Sequence, residues 1–178
     1  FIIFYTMKKL ITLLLTLLTL VSFSQERQFE LEKLILEKVN EFRISEGLLA
    51  VKWNDKVYDA AYHHAYYLTD REISLSHNED YDKVNFTELM RAQDRIKYYY
   101  NESSWGIENL VTINFIWYNG DIEKIAEGVV KAWIDSPQHK RGMLFDSEGH
   151  GALTLGAVSV LKVTDSCSWG RPTLVLVH

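Results

Sequence analysis

The stretch Ile122 to Leu144, IEKIAEGVVKAWIDSPQHKRGML, constrains this chain more than any other. Ile122, Ile125, Ala126, Val129, Val130 and Trp133 fall at offsets 0, 3, 4, 7, 8 and 11, one apolar stripe along a helix of 3.6 residues per turn. Such a helix belongs to a core. Pro137 has a fixed φ and no N–H to donate, so the spacing predicts that the helix stops before it and that Ser136 to His139 leave its axis in a tight turn. A histidine just past a rigid, packed helix end is held at a fixed place. The same spacing also fits a surface turn in which His139 is idle.

The 178 residues suffice for one domain with a real core. The first 24 residues read as something else. Met7, Lys8 and Lys9 precede an apolar run from Leu10 to Val21, and Ser22, Phe23 and Ser24 follow. A short positive region, an apolar region and small residues before a cleavage point make a secretory signal peptide cut after Ser24. The run is shorter than the roughly 20 apolar residues of a spanning helix, so no membrane anchor is expected after cleavage. Met7 is read as the start, with Phe1 to Thr6 an upstream extension, and residues 25–178 as the domain. No cysteine near the cleavage point offers a lipid attachment site. The single cysteine, Cys167, excludes an intramolecular disulfide.

Net charge is −5, and loss of residues 1–24 leaves 17 basic against 24 acidic residues, a net charge of −7. That balance argues against nucleic acid and against an anionic membrane as partners. Ten Tyr and five Trp suit a large core or a partly apolar groove.

In the mature chain, Leu31, Leu34, Ile35, Val39 and Phe42 repeat at helical spacing from Phe29 to Ser45, and Gly47 supplies a left-handed stop. Leu48 to Trp53 is short and extended. Asn54 or Asp55 then caps a second helix reaching about Asp70, with Val57, Ala61, His64, Ala65 and Leu68 buried. His64 is thus read as a hydrogen-bonded core residue with His63 beside it. A polar segment from Arg71 to Asn85 carries His77, and a third helix is expected from Phe86 to Tyr100, where Arg95 reaches a carboxylate across an exposed pair of small worth. Glu108 has apolar neighbours on both sides, so its carboxylate must be solvated, paired or metal-bound. Ala152 to Val163 and Thr173 to His178 read as two antiparallel strands around a loop. Helices outnumber strands, which predicts an α+β fold with helices flanking an antiparallel sheet.

His77, Glu108 and His139 are the residues whose settings suit metal or proton chemistry. They lie far apart, and no short-range ligand spacing such as HExxH or CxxC joins them. A nucleophilic Ser136 or Cys167 has little to activate it.

The ordered motifs VNEFRISEGLLAVKWND (39–55), DAAYHHAYYL (59–68), LSH (75–77), DRI (94–96), IENL (107–110), VVKAWIDSPQH (129–139) and LGAVSV (155–160) resemble the bacterial branch of the CAP domain family. The family is also called SCP, or cysteine-rich secretory, antigen 5 and pathogenesis-related 1. The resemblance covers nearly all of residues 30 to 178. It implies a three-layer α/β/α sandwich with a central, mainly antiparallel sheet. It places His77 and His139 at the two cavity histidines and Glu108 at the family's cleft acid, a set that can hold zinc or another divalent cation, with Ser136 also lining the cleft. The motif departs from the family in two places. Gly106, Ile107 and Glu108 stand where GEN is usual, and Ser136, with Asp135 beside it, stands where many eukaryotic members carry a second acid. The stretch from His139 to Gly156 is longer than usual and predicts an enlarged loop over 145–151 that includes His150. The implied role is a secreted binding protein whose cleft takes a metal or an unidentified small-molecule, lipid or protein ligand. The alternative is a metal-dependent hydrolase of envelope or extracellular polymers, in which a zinc-bound water is acidified.

Overall fold

A computed structural model describes residues 2–70, 74–80, 91–147, 151–162 and 169–177. Two compact units are distinguished, Phe1–Glu30 and Leu31–His178. The first consists of the opening part of a helix, α1, that runs Ile2–Ser45. Among the described residues no helix is long and apolar enough to cross a membrane.

The second unit holds the rest of α1 and every other element. In chain order these are β1 (Lys52–Trp53), α2 (Asp55–Asp70), α3 (Ala92–Tyr99), β2 (Gly106–Leu110), β3 (Ile113–Asn114), a 3₁₀ turn (Phe115–Tyr118), α4 (Ile122–Asp135), α5 (Pro137–Met143), β4 (Asp146–Ser147), β5 (Gly151–Ala152), β6 (Leu155–Lys162) and β7 (Trp169–Val177). The main sheet has the order β1-β6-β7-β2, with β3 also on β7. β6 pairs antiparallel with β7, as expected, and so do β2 and β3. β1 runs parallel to β6, so the sheet is mixed rather than purely antiparallel.

Strand periodicity explains why helices cover both faces. On β6 and β7, Val158, Val160, Leu174 and Leu176 point to one side and pack with Leu31, Ile35 and Val39 of α1 and Ile125, Val129 and Trp133 of α4. The alternate residues Ala157, Val175 and Val177 point to the other side and meet Val57 and Ala61 of α2 and Ile96 of α3. A period of two on the strands and 3.6 on the helices thus produces three layers, an α/β/α sandwich.

α4 is the buried amphipathic helix its stripe predicts, capped at its start by Asp121, whose carboxylate accepts from the Lys124 N–H at 3.2 Å. It ends at Asp135. The expected tight turn is absent, however, because Pro137 occupies the first position of a new helix, α5, which carries His139. A first-turn proline needs no N–H partner, and its fixed φ favours helix initiation, so the residue that stops one helix starts the next. The third helix is described only as Ala92–Tyr99; Phe86 to Met90 lie outside the described residues, as do Cys167 and His150. Gly47 has φ +84° after α1, the left-handed stop expected of it.

Candidate functional site

The IENL segment belongs to the edge strand β2. Glu108 pairs with Val175 and so faces the α2/α3 layer, while Asn109 pairs with Leu174 and faces the opposite side. One edge strand therefore touches both halves of the site. Gly106 sits where a side chain cannot: an added Cβ would lie 2.5 Å from the Leu176 carbonyl oxygen and 2.9 Å from Ile96 Cδ1. That absence brings α3 down over β2 and seats Arg95 beside Glu108.

Glu108 is buried, with 1% of its side chain exposed. Its Oε2 accepts from Arg95 Nη2 at 2.9 Å, and its Oε1 lies 3.1 Å from the same nitrogen and 3.0 Å from His77 Nδ1. Burial alone would raise the pKa of this carboxyl, but the Arg95 charge, the His77 hydrogen bond and the nearby His64 outweigh it and hold the value at about 2. Arg95 is no exposed partner of small worth, since it too is buried, between two carboxylates.

The second carboxylate is Glu79, in the segment that carries His77. Its Oε1 lies 3.2 Å from Arg95 Nη1 and 2.9 Å from His64 Nδ1, and its Oε2 lies 3.2 Å from His63 Nε2. Burial works against ionisation here as well, yet the hydrogen bonds from His63 and His64 and the charge of Arg95 keep Glu79 below its ordinary pKa. His63 Nδ1 is 2.9 Å from the Tyr99 hydroxyl. His64 Nε2 is 2.7 Å from the Ser76 carbonyl oxygen. The same short segment is tied further by Arg95 Nη2 donating to the His77 carbonyl at 3.1 Å and by the Asp80 N–H donating to the Tyr67 hydroxyl at 2.8 Å. His77 is thereby fixed through its backbone while its ring stays 52% exposed.

His139 arrives from the other side. Asn109 Nδ2 donates to the His139 carbonyl at 2.9 Å. Gly142, one turn on, lets α5 close on β2: a Cβ there would meet Asn109 Oδ1 at 2.7 Å and Ile107 Cγ2 at 3.0 Å. Buried Arg43 of α1 donates from Nη1 to the Met143 carbonyl, holding the end of α5. The His139 ring is half-buried, and its pKa is lowered first by that burial and then by the charge of His77. Ser136, at the junction of α4 and α5, is half-buried and does not use its side chain as a cap.

The donor chemistry can be tested against a metal. Both Glu108 oxygens are taken by Arg95, so a cation bound directly to them would sit beside a guanidinium. Among the described residues no group of three or more His, Cys, Asp or Glu is arranged to hold a metal ion. What does fit is the pattern in which a histidine donates from one ring nitrogen to a carboxylate and offers the other outward. His77 has the carboxylate half of that pattern, with Glu108 as its partner, on a ring that is 52% exposed.

No motif marks Glu79, His63 or Tyr99 as part of the site. The only available signal was the pair of adjacent histidines on a buried helix face, whose ring nitrogens demand partners. Nothing local marks Glu79, two residues beyond His77, as the acid that turns inward to meet them.

The fold is an α/β/α sandwich whose edge strand presents a buried glutamate to His77. By sequence, the chain belongs to the cysteine-rich secretory protein family, CAP, whose model matches residues 36–150, more than half of the chain. Comparison with curated proteins returns no match. Among solved structures, an outer surface protein from Borrelia burgdorferi superposes with a TM-score of 0.61 at 19% identity, covering 82% of this chain and 90% of that one. An extracellular protein containing an SCP domain from Bacillus anthracis str. Ames superposes with a TM-score of 0.57 at 17% identity, covering 83% of this chain and 41% of that one. At these identities the two structures support the fold.

Proposed function

We propose that this is an exported CAP-domain binding protein whose cleft takes a divalent metal ion, zinc by preference, on the two imidazoles of His77 and His139. The observation that carries this reading is the hydrogen bond between His77 Nδ1 and buried Glu108 at 3.0 Å, made by a ring that is 52% exposed. Glu108 then acts as the orienting acid behind a ligand, and Arg95 keeps that acid ionised. Two imidazoles leave coordination positions open, which a bound ion would offer to an oxygen or nitrogen of a small-molecule, lipid or protein ligand. Ser136 lines the approach. Export is supported by the signal-like first 24 residues and by the surface and extracellular character stated for the two similar structures.

The test is a zinc titration by calorimetry on the wild type and on the double variant His77→Ala/His139→Ala. Saturable binding that disappears in the double variant is expected. Equal affinity in both proteins would end the metal reading.

A further inference from the structure

α2 buries one face and leaves another in solvent. Val57, Ala60, Ala61, His64, Ala65 and Leu68 are buried. Asp55, Tyr58, Asp59, Tyr62 and Tyr66 fall at offsets 0, 3, 4, 7 and 11, a second stripe along the same helix. Tyr58 is half-buried and the other four are exposed, Tyr62 to 41% and Tyr66 to 54%. The rings form an unbroken row that begins on β1: centroids lie 5.4 Å apart from Trp53 to Tyr58, 6.0 Å from Tyr58 to Tyr62 and 6.3 Å from Tyr62 to Tyr66. Aromatic pairs four residues apart add only slightly to the stability of a helix, so α2 alone does not account for the row. The first ring already carries a cation, since Lys33 Nζ sits 3.5 Å from the Trp53 ring centroid. Asp55 meets the same side chain, accepting from Trp53 Nε1 at 2.8 Å.

We propose that this stripe of α2 docks an extended basic segment of a partner chain, whose Lys or Arg side chains at alternate positions meet the Tyr58, Tyr62 and Tyr66 rings between Asp55 and Asp59. The spacing supports an extended partner. Side chains on one side of an extended chain recur every second residue, about 6.6 Å apart, and the tyrosine rings recur at 6.0 and 6.3 Å. From Asp55 to Tyr66 the helix rises about 16 Å, the length of about five extended residues. Three alternate side chains therefore keep register with three rings. The charge supports a cationic partner. The face of a tyrosine ring attracts a cation, two carboxylates share the stripe, and the whole chain carries a net charge of −5. Lys56 lies one residue off the stripe, about a quarter-turn round the helix. The same charges oppose nucleic acid and anionic lipid. A neutral glycan would use the rings and leave both carboxylates without a role, so the basic segment accounts for more of the stripe. The contact of Lys33 with Trp53 shows the proposed interaction made once within the chain itself.

The experiment is fluorescence anisotropy of a short labelled peptide that alternates lysine and serine, titrated with the protein. Saturable binding is expected, and its absence overturns the proposal. Tyr62→Leu/Tyr66→Leu keeps apolar side chains at two exposed positions and removes the rings; affinity is expected to fall about five- to thirtyfold, the worth of two exposed cation–ring contacts. Tyr62→Phe/Tyr66→Phe keeps the rings and is expected to keep the affinity. Equal affinity in the leucine variant would reduce the interaction to general charge attraction and overturn the proposal. Asp55→Asn/Asp59→Asn is expected to weaken binding, and no change there would overturn the charge complementarity. Equal affinity for a peptide of the same charge with lysine at every third position would overturn the register. A neutral oligosaccharide of N-acetylglucosamine that binds while the lysine peptide does not would give the face to glycans instead. Proton–nitrogen spectra of the wild type with the peptide locate the contact without any variant: shifts along α2 and at the Trp53 indole are expected, and shifts elsewhere with α2 unmoved would overturn the assignment.

Discussion

Replacing Arg95 by methionine tests the electrostatic account of the site most directly. The substitution keeps an unbranched apolar stem and removes the guanidinium between Glu79 and Glu108. In the wild type the Glu108 carboxyl is held at about 2 against an ordinary 4.5. A difference of that size corresponds to about 3 kcal/mol of native-state stabilisation above pH 4.5. Removing one partner of a buried ion pair typically costs about 3 to 5 kcal/mol, because the other charge is left uncompensated. The expected loss at pH 7 is therefore about 3 to 5 kcal/mol, read by urea unfolding, and a fall in Tm of roughly 6 to 20 °C. The pH dependence carries the sign. In the wild type Glu108 binds fewer protons folded than unfolded between about 2 and 4.5, so its contribution is present above 4.5 and fades as pH falls toward 2. Without Arg95, burial and the facing carboxylate raise the folded pKa values, so the variant recovers as acid protonates these groups. The gap between the two proteins should thus narrow from pH 7 to pH 4. A loss under about 1 kcal/mol, or an equal loss at both pH values, would refute the reasoning.

Other outcomes follow from the packing of the second half of the site. Gly142→Ala places a Cβ 2.7 Å from Asn109 Oδ1 and should lift α5 from β2, costing about 1 to 3 kcal/mol in urea unfolding. Zinc affinity should fall with it, and an unchanged stability would mean that α5 is not seated as described. His139, whose pKa is lowered by burial and then by His77, should titrate higher in His77→Gln, though only part of the way because the burial remains. An NMR titration of the His139 ring that shows no movement would place the two imidazoles in separate surroundings. Trp133, fully buried at the centre of the α1/α4 layer, should cost about 3 to 5 kcal/mol when changed to alanine. A loss below about 1 kcal/mol would remove α4 from the core.

Helical stripes were legible because they are local. α2 buries the residues its spacing predicts, α4 buries all of its stripe but the half-buried Ile122, and Gly47 ends α1 with the conformation expected of it. Motif order also carried the family, whose model matches residues 36–150. Pairings across the chain were not legible. The parallel contact of β1 with β6 joins residues 52–53 to 155–156, and the strand around Glu108 acquires its identity only from β7, more than sixty residues later. Pro137 shows a related limit, because its local chemistry fits both the stop of a helix and the start of another, and packing on Asn109 and Ile107 selects the start.

By itself the sequence determined the helices, their buried faces, the acidic surface and the three polar residues worth watching. Those follow from interactions a few residues long. Only the tertiary structure decided what becomes of each charge, that Arg95 is buried, that Glu79 turns inward to two histidines, and that Glu108 orients His77. A carboxylate's energy depends on what lies within a few ångströms of it, and here those neighbours come from two helices, a loop and an edge strand that meet only when the chain is folded.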